Sequence, residues 1–194
     1  MNHADHVDLI ARGIAPGGGG VWADLGAGTG AFTLAVREVA GPGVEIVAVD
    51  RDPAALRTLR AAMERRFPGT RLRLLAADFD GPLELPPLDG IVAANAIHYV
   101  RDQAALLRRW REWLKPAGRL IVVEYDAETG NPWVPHPLSF RAFAPLARAA
   151  GFRDPVPLGS RPSRWMGRIY AAATSPVAAG TDPESAIPPE ESAR

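Results

Sequence analysis

Asp24, Gly26, Gly28 and Gly30 stand at alternate positions in Asp24-Leu25-Gly26-Ala27-Gly28-Thr29-Gly30, behind a short apolar run. Residues without a Cβ let a ligand lie against the backbone, and the helix that follows presents unpaired N–H groups. Such a turn is chemistry for a nucleotide-type cofactor; the bland alternative is a tight turn with no ligand. The same letters satisfy a dinucleotide fingerprint through Gly26, Gly28 and Ala31. Asp24 separates the two cofactor types. A dinucleotide site normally carries an apolar residue there, whereas a carboxylate at a strand end is costly to bury unless a cationic or N–H-rich group meets it.

The next candidates follow at the ends of later apolar runs. Asp50 closes Val47-Ala48-Val49 and can accept hydrogen bonds from two ribose hydroxyls. Asp78 and Phe79 follow Leu75-Ala76-Ala77, placed to bond an adenine amino group and to pack beside its ring. In Asn95-Ala96-Ile97-His98-Tyr99, His98 can act as a base toward an acceptor hydroxyl or activated carbon, or simply order the loop. Glu124, Tyr125 and Asp126 end another run on the same edge and either line an acceptor pocket or are solvated. Trp133 and His136 sit in a proline-rich loop, and His3 and His6 lie in a lead helix able to close over a cofactor. No His, Asp or Glu spacing reads as a metal site.

Short apolar runs alternating with helical periods are what must position these residues, as in α/β units. A lead helix is predicted over 4–14. Strands are predicted over 21–25, 44–49, 72–76, 90–94 and 120–125, a sixth starting at Gly151-Phe152, and a last over 164–173. Helices are predicted over 29–40, after Asp52-Pro53, over 102–115 and over 138–150. Asp52-Pro53 is an N-cap followed by proline at the first helical position. Leu56, Leu59, Met63 and Phe67 then fall on one face. In the 102–115 helix, Leu106, Leu107, Trp110 and Leu114 face inward and Arg108, Arg109 and Arg111 outward.

The 194 residues suit one domain with a full core, at 47% apolar and 23% charged. A formal net charge of zero gives no electrostatic case for nucleic acid. Without cysteine there are no disulfides or thiolate sites, and no apolar run is long enough to span a membrane. A cytoplasmic protein is expected. Residues 1–174 form the domain. Residues 175–194, with Asp182, Glu184, Glu190 and Glu191, are expected to be a disordered acidic tail.

Together, Asp24-Leu25-Gly26-Ala27-Gly28-Thr29-Gly30, Asp50, Asp78, Asn95, Lys115-Pro116-Ala117-Gly118-Arg119-Leu120 and Ala150-Gly151-Phe152 resemble the class I S-adenosylmethionine-dependent methyltransferases. The small-molecule, quinone-biosynthesis-like type is the nearest subgroup, and the resemblance covers residues 5–174. It implies a Rossmann-like α/β fold: a seven-stranded sheet of order 3-2-1-4-5-7-6, strand 7 antiparallel, helices on both faces. By position, Asp24 with Gly26, Ala27, Gly28 and Gly30 would hold the methionine end of S-adenosyl-L-methionine. Asp50 with Arg51 would hold the ribose, Asp78 with Phe79 the adenine, and Asn95 would lie near the transferring methyl.

The resemblance further implies transfer of a methyl to O, N or C of a small-molecule acceptor by in-line displacement, with His98 the candidate catalytic base. The 95–99 run is not the Asn/Asp-Pro-Pro-Tyr/Phe of amide and base methylation, which disfavours those acceptors. An NAD-dependent oxidoreductase and a non-catalytic cofactor-binding adaptor are the alternatives. With few residues before the first strand, the pocket should be open or completed by a second subunit, so a homodimer is one alternative.

Overall fold

The computed structural model describes residues 1–163 and 165–178. Seven strands form one sheet: β1 (Val21–Leu25), β2 (Glu45–Asp50), β3 (Arg71–Ala76), β4 (Leu88–Ala94), β5 (Leu114–Tyr125), β6 (Val156–Pro162) and β7 (Arg168–Thr174). Their order is β3-β2-β1-β4-β5-β7-β6. The pairs from β3 through β5 are parallel, and β7 runs antiparallel to both neighbours. The expected sheet is therefore observed, with its switch of direction between β1 and β4, where open α/β sheets form a crevice.

Strand residues alternate between two cores. On one face Trp22, Ile46, Val92, Ile121 and Val123 pack with α1 (His3–Ile10) and α2 (Ala31–Ala40). On the other, Ala23, Val47, Ile91, Val122 and Ala172 pack with α4 (Gln103–Trp113) and α5 (Phe140–Ala149). The third helix of the first face, α3 (Pro53–Arg66), buries Leu56, Leu59 and Met63 of the predicted stripe, while Phe67 stands past the helix at its C-cap, half-buried. Asp52 caps it by accepting from the Ala54 N–H at 2.7 Å, and Pro53 stands first. Among the described residues no helix is long and apolar enough to cross a membrane.

Three expectations need correction. The sixth strand starts at Val156, because Gly151 takes a φ of 82° and Phe152 turns into the core, 1% exposed. The last strand starts at Arg168, after a turn closed by the Ser163 N–H on the Gly167 carbonyl. Arg111 does not point outward. Its guanidinium donates to the Gly151 and Val177 carbonyls and ties α4 to the chain beyond β7.

The beginning of the expected tail is attached too. The Ser175 carbonyl accepts from Arg153, and the Val177 N–H donates to Gly151. The rest of that segment, 179–194, lies outside the described residues.

Candidate functional site

Each parallel strand delivers one candidate to the same edge of the sheet. Gly26 follows β1, Asp50 ends β2, Asp78 and Phe79 follow β3, and Asn95 follows β4. All five, with Arg51, line one cleft of about 350 Å³. Ala77, Asp80, Ala96, Tyr99 and Val100 complete it and were not singled out from sequence. Asp24, Ala27, Gly28 and Gly30 are not among the lining residues and sit behind or beside it.

The three glycines do different work. Gly26, at φ 81°, lets the β1 and β4 loops touch, since a Cβ would lie 2.6 Å from that of Ala96. Gly30, at φ 93°, brings the start of α2 against α3, where a Cβ would lie 2.5 Å from Leu59 Cγ. Only Gly28 faces open space, with nothing within 4 Å of a built Cβ. Its N–H donates to Asp50 Oδ2 at 2.7 Å, while Asp50 Oδ1 accepts from the Asp52 N–H at 2.8 Å. These bonds fix the carboxylate at the cleft wall and leave lone pairs for a ligand.

Asp24 is 1% exposed, and Thr33 Oγ1 donates to its Oδ2 at 2.5 Å. Burial pushes its carboxyl up to about 7; the Thr33 bond pulls the other way and the Asp50 charge adds to the rise. Thr33, in the first turn of α2, is a partner the sequence reading missed.

Asn95 holds a left-handed φ of 52°, unusual without glycine, and its buried Oδ1 has no bonding partner among the described residues. Strained backbone and an unsatisfied buried acceptor each cost free energy, and both here face the sites of interest.

A second cavity, of about 150 Å³, shares Asn95 and Tyr99 with the first. His98 lies in its wall, 2% exposed, with Nδ1 2.8 Å from Glu124 Oε2. Glu124 is fully buried, and its carboxylate also accepts from the His98 and Tyr125 N–H groups at 3.3 Å. With the carboxylate accepting at Nδ1, the imidazole is held as the tautomer whose Nε2 carries a free lone pair. Tyr125 lines the same cavity, its phenol pushed up by burial and then by Glu124 and Tyr99, so it stays neutral.

Trp133, which sequence placed in the loop after β5, is 77% exposed at the mouth. Trp165 and Met166, between β6 and β7, also line it, and no sequence signal marked them. The other histidines line neither cavity. His136 donates its N–H to the His98 carbonyl, His3 pairs with Glu38 at 2.7 Å, and His6 packs on Phe32. No group of His, Asp or Glu among the described residues could hold a metal ion.

The first cleft fits the expected S-adenosylmethionine. It offers Asp50, Asp78 and Asp80 against Arg51, a balance that suits ammonium and sulfonium groups and would repel a pyrophosphate. Asn95 Oδ1 is a buried acceptor in need of a donor, and Gly28 leaves room where a ligand can approach the backbone.

Comparison with known proteins agrees. A family model described as a methyltransferase domain matches residues 23–120. A probable cobalt-precorrin-6B C(15)-methyltransferase (decarboxylating) of Methanothermobacter thermautotrophicus is 33% identical over 62% of this chain and 60% of its own length. A ubiquinone/menaquinone biosynthesis C-methyltransferase of Syntrophotalea carbinolica is 34% identical over 62% of this chain and 50% of its own. The chain thus spans little more than half the length of these relatives.

Among solved structures, the fold is similar to a putative O-methyltransferase of Nostoc punctiforme. The TM-score is 0.71 at 18% identity, over 89% of this chain and 56% of the other. It is also similar to the 1,6-didemethyltoxoflavin-N1-methyltransferase of Burkholderia thailandensis, solved with S-adenosylhomocysteine. There the TM-score is 0.68 at 21% identity, over 91% and 78%.

Proposed function

The chain belongs to the methyltransferase-domain family, and on that premise we propose that it is an S-adenosylmethionine-dependent methyltransferase acting on a small molecule in the cytoplasm. The observation that carries the reading is the convergence of Gly26, Asp50, Asp78, Phe79 and Asn95 on one cleft that shares Asn95 and Tyr99 with a second. When bound, the cofactor supplies a methyl group on sulfonium, whose departure leaves a neutral thioether.

The chain's own residues supply position and proton handling. Asp50, held by Gly28 and Asp52, would take the ribose hydroxyls; Asp78 and Phe79 would take the adenine. Buried Asp24 would place negative charge behind the turn for the methionine ammonium. Asn95 Oδ1, without a partner of its own, would accept from a ligand where the two cavities meet. Alignment of donor and acceptor can supply much of such a reaction's acceleration. His98, oriented by Glu124, would take the acceptor's proton at Nε2.

Isothermal titration with S-adenosylhomocysteine tests the reading. We expect micromolar binding, weakened about 100-fold in Asp50→Ala by the loss of two ligand hydrogen bonds. No binding to the folded protein, or a preference for NAD(H), would overturn it.

A further inference from the structure

The second cavity has a composition of its own. Tyr99, Tyr125, Trp133, Trp165, Val134 and Met166 make most of its wall. Among its described lining residues, His98 is the one ionisable group besides the tyrosines, and no Lys, Arg, Asp or Glu is present. Trp133, Trp165 and Tyr99 are 77%, 74% and 58% exposed, large apolar surfaces left at the rim without covering protein. Isolated exposed aromatics are ordinary, but three around one opening mark a site for an apolar ligand.

Size narrows the ligand further. A void of about 150 Å³ takes up a single benzene-sized ring. Larger molecules would leave their remaining parts between the exposed indoles. Aromatic side chains bind flat rings by offset or edge-on stacking. The wall holds no Lys or Arg, so a carboxylate or phosphate would find no side chain here to replace its hydration. An aromatic wall also suits a quaternary ammonium, but a cation would stand beside the sulfonium that the neighbouring cleft is proposed to hold, and the two would repel.

The one chemical function in the wall is the His98–Glu124 pair. Glu124 is sealed behind the ring at 2.8 Å from Nδ1, and Nε2 has no bonding partner among the described residues. A ligand therefore needs a proton to give to that nitrogen.

We propose that this cavity takes a flat aromatic ring bearing an ionisable hydroxyl and otherwise uncharged, stacked on Trp133 and Trp165 with its hydroxyl toward His98. This names the acceptor class for the methyltransferase reading and rests on it. On binding, the O–H bond breaks, its electron pair stays on oxygen, and the proton moves to Nε2. Glu124 then faces an imidazolium, and the phenolate oxygen is the nucleophile.

The probe is para-nitrophenol, whose phenolate has its own absorption band. Titrated at a pH where the free phenol is mostly un-ionised, it should bind and its phenolate band should grow. Trp133→Ala and Trp165→Ala should each weaken binding about five- to tenfold through lost stacking, with S-adenosylhomocysteine affinity unchanged. His98→Gln should retain binding and lose the growth of the phenolate band. Both tryptophans are exposed, so their truncation leaves the core intact.

Equal competition by cyclohexanol or choline, or indifference to both tryptophan variants, would overturn the proposal. So would failure of para-nitrophenol to bind the folded protein. The titration is run with and without S-adenosylhomocysteine, so a protein that binds the phenol but not the cofactor sinks the donor reading and not this one.

Discussion

The two cavities that meet at Asn95 and Tyr99 are made of different materials. The larger is built from strand ends: carboxylates held by backbone N–H groups, and glycines that let loops approach within contact. The smaller is built from side chains on the connections after β4, β5 and β6, mostly aromatic, around one buried His–Glu pair. A parallel sheet dictates the first, because each strand must end at the same edge and its last residue arrives there whatever the helices between do. Nothing in the sheet dictates the second. On the proposed reading the first is a common donor site and the second a particular acceptor site, and the two halves should fail independently.

The most severe test of that independence is His98→Gln. General-base catalysis contributes about 10²- to 10⁴-fold, so kcat should fall by that order with an acceptor that enters protonated. Affinity for S-adenosylhomocysteine should not move. Glu124→Gln keeps the shape but removes the charge facing Nδ1, and should lower kcat with the same acceptor while leaving S-adenosylhomocysteine affinity unchanged. A parallel loss of cofactor affinity in either variant would show that the two cavities are one unit.

The same division explains what could be read in the chain. The strand–helix alternation and the α3 stripe follow from periodicity and from Asp52-Pro53, which are local, whereas the sheet order came with the family resemblance. Gly26, Asp50, Asp78 and Asn95 were legible because each stands at the end of its strand or within two residues of it. The β6 start was misplaced because Gly151-Phe152 looks like a strand opening. Phe152 instead fills the core and pairs with Pro176, a contact remote in sequence. Trp165 and Met166 reach the second cavity because β7 pairs antiparallel with β5, Ile169 opposite Tyr125, and the bond from His98 to Glu124 joins two strand ends. Such meetings depend on tertiary geometry and leave no spacing to read.

Asp24→Asn tests the donor half by pH. The carboxyl is pushed up to about 7 in the folded protein from an ordinary value of 3.8. Between those values the folded state holds a proton that the unfolded chain has released, so this group's contribution to stability falls as pH rises from about 4 to about 7. Above 7 the full cost of the buried charge remains. Asparagine can still accept from Thr33 and carries no charge. The variant should therefore gain up to about 4 kcal/mol over the parent at pH 8, shrinking toward nothing near pH 4. Its affinity for S-adenosylhomocysteine should drop, since the charge behind the turn is gone. Urea unfolding of both proteins at pH 5 and pH 8 reads the difference. A gain independent of pH would place the cause elsewhere than in the titration of Asp24.

The smallest effects come from the turn itself, and they sharpen what its glycines are for. Gly30→Ala puts a methyl 2.5 Å from Cγ of fully buried Leu59, at φ 93°. Overpacking with left-handed strain should cost about 2–4 kcal/mol of stability. Gly28→Ala, at φ 51° with open space before it, meets only the strain, about 1 kcal/mol. Its methyl instead occupies the surface over which a ligand must pass to reach the backbone. Gly30→Ala should thus lower the melting temperature more and leave cofactor affinity nearly intact well below it, while Gly28→Ala should do the reverse, weakening S-adenosylhomocysteine about tenfold. If both variants lose stability and affinity in proportion, the turn acts as one rigid piece, and the distinction between a packing glycine and a ligand glycine falls.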